Sequence, residues 1–361
     1  MRSEQTNDRL RIALIAPPWY PVPPSGYGGI ELVVYLLGHE LAQLGHNVTV
    51  LGRQGGRDGF ELLALSPESW TADLGGADHE AREATYIKSA YDVILHRAFD
   101  VVHDHTGYMG LVVGSLLRLQ STVAGTLHGD LSEADARFLA SIDQAIELVA
   151  ISRAQQGLVA GVRWAGVVHN AVDERGLELN TERGDYLVEL ARICAEKGQH
   201  VAIEVAKRAG KRLVLAGKVA KGAEDYFHEQ IEPNLGDGVE WRENVVGRDK
   251  ARLLAGAEAM IFPIQWEEPF GLAMVEAMAS GTPVVATPRG AAVEIVEEGV
   301  TGVFGEDVDN LVEAVSGLGE IDRQRCAEHA RDRFSPRRMA LSYEAVYRAV
   351  LERKRSQAWG Q

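Results

Sequence analysis

The sequence predicts an α/β protein made of two doubly wound, Rossmann-like domains. Three observations lead there. Short apolar strand-like runs alternate with helical patterns along almost the whole chain, the rhythm of βαβ units with a parallel sheet and helices on both faces. A polar stretch, DERGLELNTERG (173–184), interrupts that rhythm once, after which it restarts. The length, 361 residues, with 46% hydrophobic and 25% charged residues, suits two ordinary globular domains of roughly 150 residues each.

In chain order, RIALIA (11–16) reads as a buried strand, residues 30–44 as a helix, and NVTVL (47–51) as a second strand closed by Gly52. Residues 52–84, with scattered glycines, prolines and polar residues, declare no element. DVVH (100–103), VAGTLH (123–128) and LVAI (148–151) are further strands, and the series ends near 167–170. Beyond the linker, residues 186–191, 212–216, 239–241, 259–263 and 283–286 read as strands with helices between them. The expected domains are therefore 1–172 and 185–335, joined by 173–184. A long amphipathic helix, 338–356, is expected to pack back on the first domain.

Charge and composition narrow the function. With 37 Lys+Arg against 52 Asp+Glu, the net charge is −15, which repels nucleic-acid backbones and anionic lipid surfaces. Nucleic acid is therefore not an expected partner, and peripheral membrane contact is not indicated. No apolar run reaches the 18 or so residues of a membrane-spanning helix, and MRSEQTNDRLR (1–11) is too polar for a signal peptide. Two isolated cysteines, Cys194 and Cys326, define neither a disulfide framework nor a zinc site. A reducing cytoplasm is the expected location.

Open parallel sheets bind ligands at the carboxyl ends of their strands, and two such domains place the expected site in the cleft between them. The strongest signal is FPIQWEEPFGLAMVEAMASGTP (262–283), a strand, a loop, a helix expected to start near Pro269 and a stop at Gly281. Glu268 and Glu276 stand eight residues apart, about 12 Å along a helix rising about 1.5 Å per residue. Retaining glycosidases hold their carboxylates only about 5–5.5 Å apart, so that pairing is excluded. The spacing suits two ends of an elongated ligand with an anion at the helix N-terminus between them. The competing reading is an ordinary helix-start carboxylate and a solvated one. A second signal, LARICAEKG (190–198), sets Arg192 and Lys197 on one loop after a strand. Two fixed cations there can neutralise a departing diphosphate without a metal, although isolated charges are more often simply solvated.

Taken together, these stretches resemble the family 4 glycosyltransferases, retaining enzymes of the GT-B fold. The family's Glu-x7-Glu signature stands at Glu268 and Glu276 within Glu-Pro-Phe-Gly, and its Gly-Arg-x4-Lys-Gly element at Ala191, Arg192, Lys197 and Gly198. The resemblance continues through LAGK (215–218), ASGTPVV (279–285) and EIVEEGVTG (294–302). In the first half it takes in Gly28-Gly29, VVHDH (101–105), TLHG (126–129) and VAIS (149–152). It implies a nucleotide-sugar donor and a hydroxyl acceptor, with no cofactor and no metal. Glu268 would hold donor-sugar hydroxyls and Glu276 the ribose, while Arg192 and Lys197 bind the diphosphate. Phe270, Gly271 and Leu272 complete that donor side. His128 would sit near the donor sugar and the reacting centre. Gly28 and Gly29 would let backbone N–H groups approach phosphate or acceptor closely. The retaining outcome implies same-face attack in which the leaving diphosphate takes the acceptor proton. Two departures stand out: Ala191 replaces the usual glycine, and VEWRENVVGR (239–248) departs from the usual base-binding turn near 246–248.

Weaker signals remain. Asp307-Val-Asp309 looks like a metal motif of another glycosyltransferase fold but precedes a helix, where capping is the expected role. His103 and His105 alternate at a strand end without a third metal ligand. With Asp104, His103 is expected on a polar wall touching the acceptor. Tyr27 and Tyr108 are expected on the acceptor side too, in a group of loop aromatics with Trp19 and Tyr20. SGYGG (25–29) lacks the following acidic residue of a dinucleotide fingerprint. UDP is the first expectation for the nucleotide and GDP the second. The rival readings are an epimerase or hydrolase acting on nucleotide sugars, which needs additional acid–base carboxylates, and a non-catalytic binder.

Overall fold

A computed structural model describes residues 9–56, 59–67, 70, 76–117 and 119–359. Most of the polar leader (residues 1–8) and parts of the stretch 52–84 lie outside the described residues. The chain divides into two compact units. Unit 1 takes the chain through Ile151, then Leu158–His169 and everything from Pro336 on; unit 2 takes Ser152–Gly157 and Asn170–Ser335.

Unit 1 is a seven-stranded sheet: β1 (Arg11–Ile15), β2 (Asn47–Arg53), β3 (Glu61–Ser66), β4 (Val101–Asp104), β5 (Thr122–Gly125), β6 (Glu147–Ala150) and β7 (Trp164–Val167). Their order is β3-β2-β1-β4-β5-β6-β7 and every pairing is parallel. Central strands such as β1 are buried on both faces, which is why they read as unbroken apolar runs. β3 lies within the region that declared no element. It is a half-exposed edge strand, so its apolar pattern is diluted. The strand expected at 123–128 ends at Gly125, so His128 stands beyond it. The fully buried Tyr86 donates to the carbonyls of Ala16 (2.7 Å) and Leu51 (2.9 Å), fixing the ends of β1 and β2. The C-terminal helix Pro336–Trp359 belongs to this unit and buries Tyr343 and Tyr347 in it.

Unit 2 is a six-stranded parallel sheet: β8 (Tyr186–Leu190), β9 (Arg212–Ala216), β10 (Val239–Arg242), β11 (Ala259–Phe262), β12 (Val284–Ala286) and β13 (Gly302–Phe304), in the order β10-β9-β8-β11-β12-β13. Leu187, Leu213, Leu215, Ile261 and Val285 from its strands pack against Leu311 and Val315. The polar stretch 173–184 is anchored on this unit. Asn180 N donates to Ser280 O, and the buried Arg323 guanidinium donates to Asn180 O, Glu258 O, Ala255 O and Thr282 Oγ1. Such charge-assisted bonds to carbonyls satisfy a cation that would otherwise be costly to bury.

In each sheet the strand order reverses at one place, between β1 and β4 and between β8 and β11. Crevices at such switch points, beyond the carboxyl ends of the strands, are where doubly wound sheets bind ligands. Among the described residues, no helix is long and apolar enough to cross a membrane.

Candidate functional site

In unit 2, three loops converge beyond β8, β11 and β12. The β8 loop turns through a short 3₁₀ segment, Ala195–Lys197, and ends at Gly198 with φ 80°. A Cβ at Gly198 would stand 2.1 Å from Pro263 O, so only glycine allows the β8 and β11 loops to press together. Gln265 N donates to Glu196 O (2.8 Å), tying the same two loops. Glu267 accepts from Gly290 N (2.7 Å) and Ala291 N donates to Glu268 O (2.7 Å), docking the β11 loop on the β12 loop.

This scaffold brings Lys197 and Glu268 together. Lys197 Nζ lies 2.5 Å from Glu268 Oε2, with the side chains only 12% and 8% exposed. Trp266 Nε1 donates to the same oxygen (3.0 Å), and Lys197 Nζ sits 4.4 Å from the Trp266 ring centroid. Trp266 thus contacts both members of the pair, through a hydrogen bond and a cation–π interaction. Arg192 is exposed on the same loop. An exposed guanidinium on the same loop as a largely buried ammonium suits a diphosphate.

Beneath the β8 loop lies a polar bridge that the motifs did not reveal. Gln199, fully buried, donates from Nε2 to Glu189 Oε1 (2.9 Å) and Arg192 O (3.1 Å), and accepts from Cys194 N (3.2 Å). Burial pushes the Glu189 carboxyl well above the ordinary range. Ala191 introduces no left-handed backbone, since among the described non-glycine residues only Asp237 has a positive φ.

The helix expected near Pro269 begins at Leu272 instead. Gly271, in the left-handed region at φ 86°, is its N-cap, and its missing Cβ spares a 2.4 Å clash with Met274 Cε. Phe270 is buried, and Leu272 opens the helix, which carries Glu276 on its second turn. Glu276 is not solvated: its Oε1 receives Lys250 Nζ at 2.6 Å, with side chains 14% and 27% exposed. Val246, in the stretch expected to meet the base, N-caps the helix Gly247–Ala255 and is exposed.

Unit 1 places its candidate residues at the ends of β1, β4 and β5. Gly28 is the N-cap of the helix Gly29–Gln43, whose first-turn Glu31 is buried and accepts from Tyr20 N (3.3 Å). Desolvation raises the Glu31 carboxyl to about 7. Tyr27 and Tyr108 are exposed, the latter donating to Asp135 Oδ1 (2.7 Å). Trp19, by contrast, is buried and stacked on His79 at 4.4 Å, so it covers the core edge.

His103 and Asp104 differ from expectation. Both are completely buried. His103 Nδ1 lies 2.6 Å from Tyr347 Oη and its Nε2 2.9 Å from Thr126 Oγ1. Asp104 accepts from Tyr91 Oη (2.9 Å), Thr106 N (2.8 Å) and Thr106 Oγ1 (2.7 Å). Their polar atoms are committed to internal partners, so neither side chain faces an acceptor in this fold. His105 lies between two other imidazoles: its ring centroid is 4.0 Å from that of His103, tilted to it, and its Nδ1 is 3.0 Å from Nε2 of the part-exposed His128. Burial lowers His103 to about 3 and His128 to about 4, and pushes His105 down as well. All three imidazoles are neutral at pH 7.

Asp307 accepts from Asn310 N (2.9 Å) as the N-cap of the helix Val308–Gly317, and Asp309 pairs with Arg208. The signals for Gln199, Trp266 and Lys250 were present in the chain only as residues adjacent to recognised motifs. The contribution of Tyr343 and Tyr347, more than two hundred residues from His103, had no local signal.

Comparison with known proteins matches residues 27–175 to the model for Glycosyltransferase Family 4 and residues 184–320 to that for Glycosyl transferases group 1. A D-inositol 3-phosphate glycosyltransferase of Mycobacterium marinum is 30% identical over 55% of this chain, an alignment spanning about half (47%) of that relative. A glycogen synthase of Mycobacterium tuberculosis is 26% identical over 90% of both chains. Among solved structures, AviGT4, a glycosyltransferase involved in avilamycin A biosynthesis, superposes with a TM-score of 0.75 at 27% identity, covering 95% of this chain and 98% of that one. An Anabaena protein, HepE, crystallised with UDP and glucose, shares the fold at 19% identity with a TM-score of 0.73, over 94% and 100% of the two chains. With both halves matched in order on two doubly wound sheets, the chain belongs to the family 4 glycosyltransferases of GT-B fold.

Proposed function

We propose that this glycosyltransferase moves a sugar, with retention and without a metal, from a nucleoside diphosphate to a hydroxyl acceptor. A UDP-sugar is the favoured donor and a GDP-sugar the second. The observation that carries the reading is the Lys197–Glu268 pair with Trp266 against it. A cation and a carboxylate that neutralise one another when no ligand is bound can be taken up separately by one ligand, the cation by diphosphate and the carboxylate by sugar hydroxyls.

In this reading Lys197 and Arg192 hold the diphosphate and stabilise its charge as it leaves. Glu268 accepts from sugar hydroxyls, Glu276 from the ribose, and Phe270, Gly271 and Leu272 shape the donor side between them. Gly28 and Gly29 offer backbone N–H groups, His128 lies near the reacting sugar, and Tyr27 and Tyr108 serve the acceptor. The bond from the anomeric carbon to the phosphate oxygen breaks while the acceptor oxygen attacks the same face, and its proton passes to the departing phosphate. No carboxylate of the chain becomes glycosylated. The protein acts in the cytoplasm, in keeping with two free, buried cysteines, and its charge disfavours nucleic acid.

The epimerase or hydrolase alternative needs further acid–base carboxylates near the sugar. Two other carboxyl groups, on the β11 loop and on β8, are engaged otherwise, Glu267 with Gly290 N and Glu189 with Gln199. A thermal-shift panel of UDP, GDP, ADP and dTDP, with and without EDTA, tests the proposal. A specific nucleotide at 100 times its Kd adds about 2.7 kcal/mol, and the expected result is a shift with one of the four that EDTA leaves unchanged. No shift with any of them would remove the donor-site reading, and an absolute need for Mg²⁺ or Mn²⁺ would remove metal independence.

A further inference from the structure

We infer that His105 acts as a positioning residue that locks His128 in the tautomer carrying its proton on Nδ1, making His128 a neutral hydrogen-bond donor. The inference starts from one contact, His105 Nδ1 to His128 Nε2 at 3.0 Å. Between two neutral imidazoles, one of those nitrogens must carry the proton and the other must accept it.

The surroundings decide which. His105 is buried, and its second nitrogen, Nε2, has no partner among the described residues. If His128 donated from Nε2, His105 would carry its own proton on Nε2, a sealed N–H with nothing to receive it. Orphaned buried donors of that kind are rare because they forfeit the full hydration of the group. If His105 donates from Nδ1 instead, its Nε2 is only a bare lone pair, packed beside the His103 ring at a centroid distance of 4.0 Å. The second arrangement leaves no donor unsatisfied. It makes Nε2 of His128 the acceptor and puts the His128 proton on Nδ1, as the hydrogen bond of one ring nitrogen dictates the state of the other.

His103 cannot substitute in this task, because Tyr347 Oη and Thr126 Oγ1 occupy both of its nitrogens. Its part is to hold the His105 ring from behind. His128, in contrast, is part-exposed, and its Nδ1 has no partner among the described residues. That nitrogen therefore presents an N–H to a sugar oxygen and cannot remove a proton from one. The functional half of this inference rests on the reading of His128 as a substrate-side residue; the tautomer does not.

The test is long-range ¹H–¹⁵N correlation NMR on the full chain with ¹⁵N-labelled histidine at pH 7. Wild type should show His128 with a pyrrole-type Nδ1 and a pyridine-type Nε2. His105→Asn keeps a side-chain donor near the Nδ1 position and should preserve that pattern, whereas His105→Leu should leave His128 as a mixture of tautomers. A protonated Nε2 on wild-type His128, or an unchanged tautomer in His105→Leu, would overturn the inference. UDP-glucose, UDP-N-acetylglucosamine and GDP-mannose are then added in turn. Movement of the His128 Nδ1 resonance with one of them supports both halves. A tautomer held as stated but unmoved by all three keeps the His105 assignment and overturns the substrate-side role of His128.

Discussion

At the ends of β4 and β5, unit 1 sets two buried histidines and the part-exposed His128 together with their charge suppressed, whereas at the ends of β8 and β11 unit 2 sets Lys197 against Glu268 at 2.5 Å. The two sheets have the same winding and their switch points are equivalent, so the difference lies in the side chains. The partners that the unit 1 histidines find are uncharged: tyrosine and threonine hydroxyls and other imidazoles. Unit 2 sets charged side chains against the opposite sign, in Lys197–Glu268 and again in Lys250–Glu276. A neutral network suits shape and hydrogen-bond direction, and a compensated ion pair suits a ligand that brings charge of its own.

The largest expected effect comes from breaking the unit 2 pair. Lys197→Ala leaves Glu268 with only the Trp266 N–H, and an uncompensated buried charge costs about 3–5 kcal/mol. Because the pair retains slight exposure, the low end is expected in a denaturation curve. Transfer should fall at least tenfold, and Glu268→Ala should do the same. The double variant Lys197→Met with Glu268→Gln sharpens the contrast, since it should recover most of the stability and none of the transfer. Near-normal transfer in either single variant would end the assignment of this pair to the donor.

Acid is the complementary way to break unit 1. A histidine whose folded pKa lies below its ordinary 6.5 binds fewer protons folded than unfolded, so its contribution is complete above 6.5 and is lost as pH falls toward 4 and 3. Each such histidine costs at most about 1.4 kcal/mol per pH unit in that window. Glu31 has the opposite sign: raised to about 7, its contribution is present below its ordinary 4.5 and lost as pH rises through 7. The raised carboxyls of Glu31, Asp104 and Glu83 oppose the lowered histidines, and below the carboxyls' range only the histidine loss remains, so unit 1 should loosen as pH falls from 6.5 toward 4. Hydrogen exchange resolved by segment should show β4 and β5 losing protection before β8 and β11. Equal loss in both units would erase the contrast.

Gln199→Ala asks whether the charged loop depends on the polar bridge beneath it. The variant strands Glu189 Oε1, Arg192 O and Cys194 N, at about 1–3 kcal/mol in stability. The loop that carries Arg192 and Lys197 then loses its tether, and nucleotide affinity should fall with it, by roughly tenfold for each 1.4 kcal/mol passed on to binding. A stability loss with unchanged affinity would confine Gln199 to the core.

The contrast also explains what could be seen in the sequence. Strands buried on both faces, such as β1 and β11, announce themselves as apolar runs, and the paired charges of unit 2 lie on loops with fixed spacings, Arg192 to Lys197 and Glu268 to Glu276. Both are local patterns. β3 is a half-exposed edge, and part of its region is occupied by a loop, so its pattern is weak. At His103 and Asp104 the strand end reads as a polar wall, because Tyr347 and Tyr91, which bond to them, lie on other elements of the chain. Polar residues whose partners come from far along the chain cannot be told from exposed ones by spacing. Trp266 and Gln199 illustrate the middle case: they sit inside or beside legible motifs, but their contacts depend on loops that the glycine at 198 lets meet.

The smallest expected effect concerns a carboxylate outside both networks. Asp307 accepts from Asn310 N at 2.9 Å as a helix N-cap, and removing such a cap costs about 1 kcal/mol. Asp307→Ala should therefore lower the melting point by a few degrees at most and leave transfer unchanged. Asparagine caps as well as aspartate does but is a poorer ligand for a hard cation, so Asp307→Asn separates the two roles. If the cap is the whole role, Asp307→Asn matches wild type in both stability and transfer. Asp309 adds nothing to this, because its partner is Arg208 on the exposed surface, where ion pairs contribute little. A fully folded Asp307→Asn variant that had lost transfer would place a metal at this position, and unit 2 would then compensate its donor's charge with more than Lys197 and Arg192.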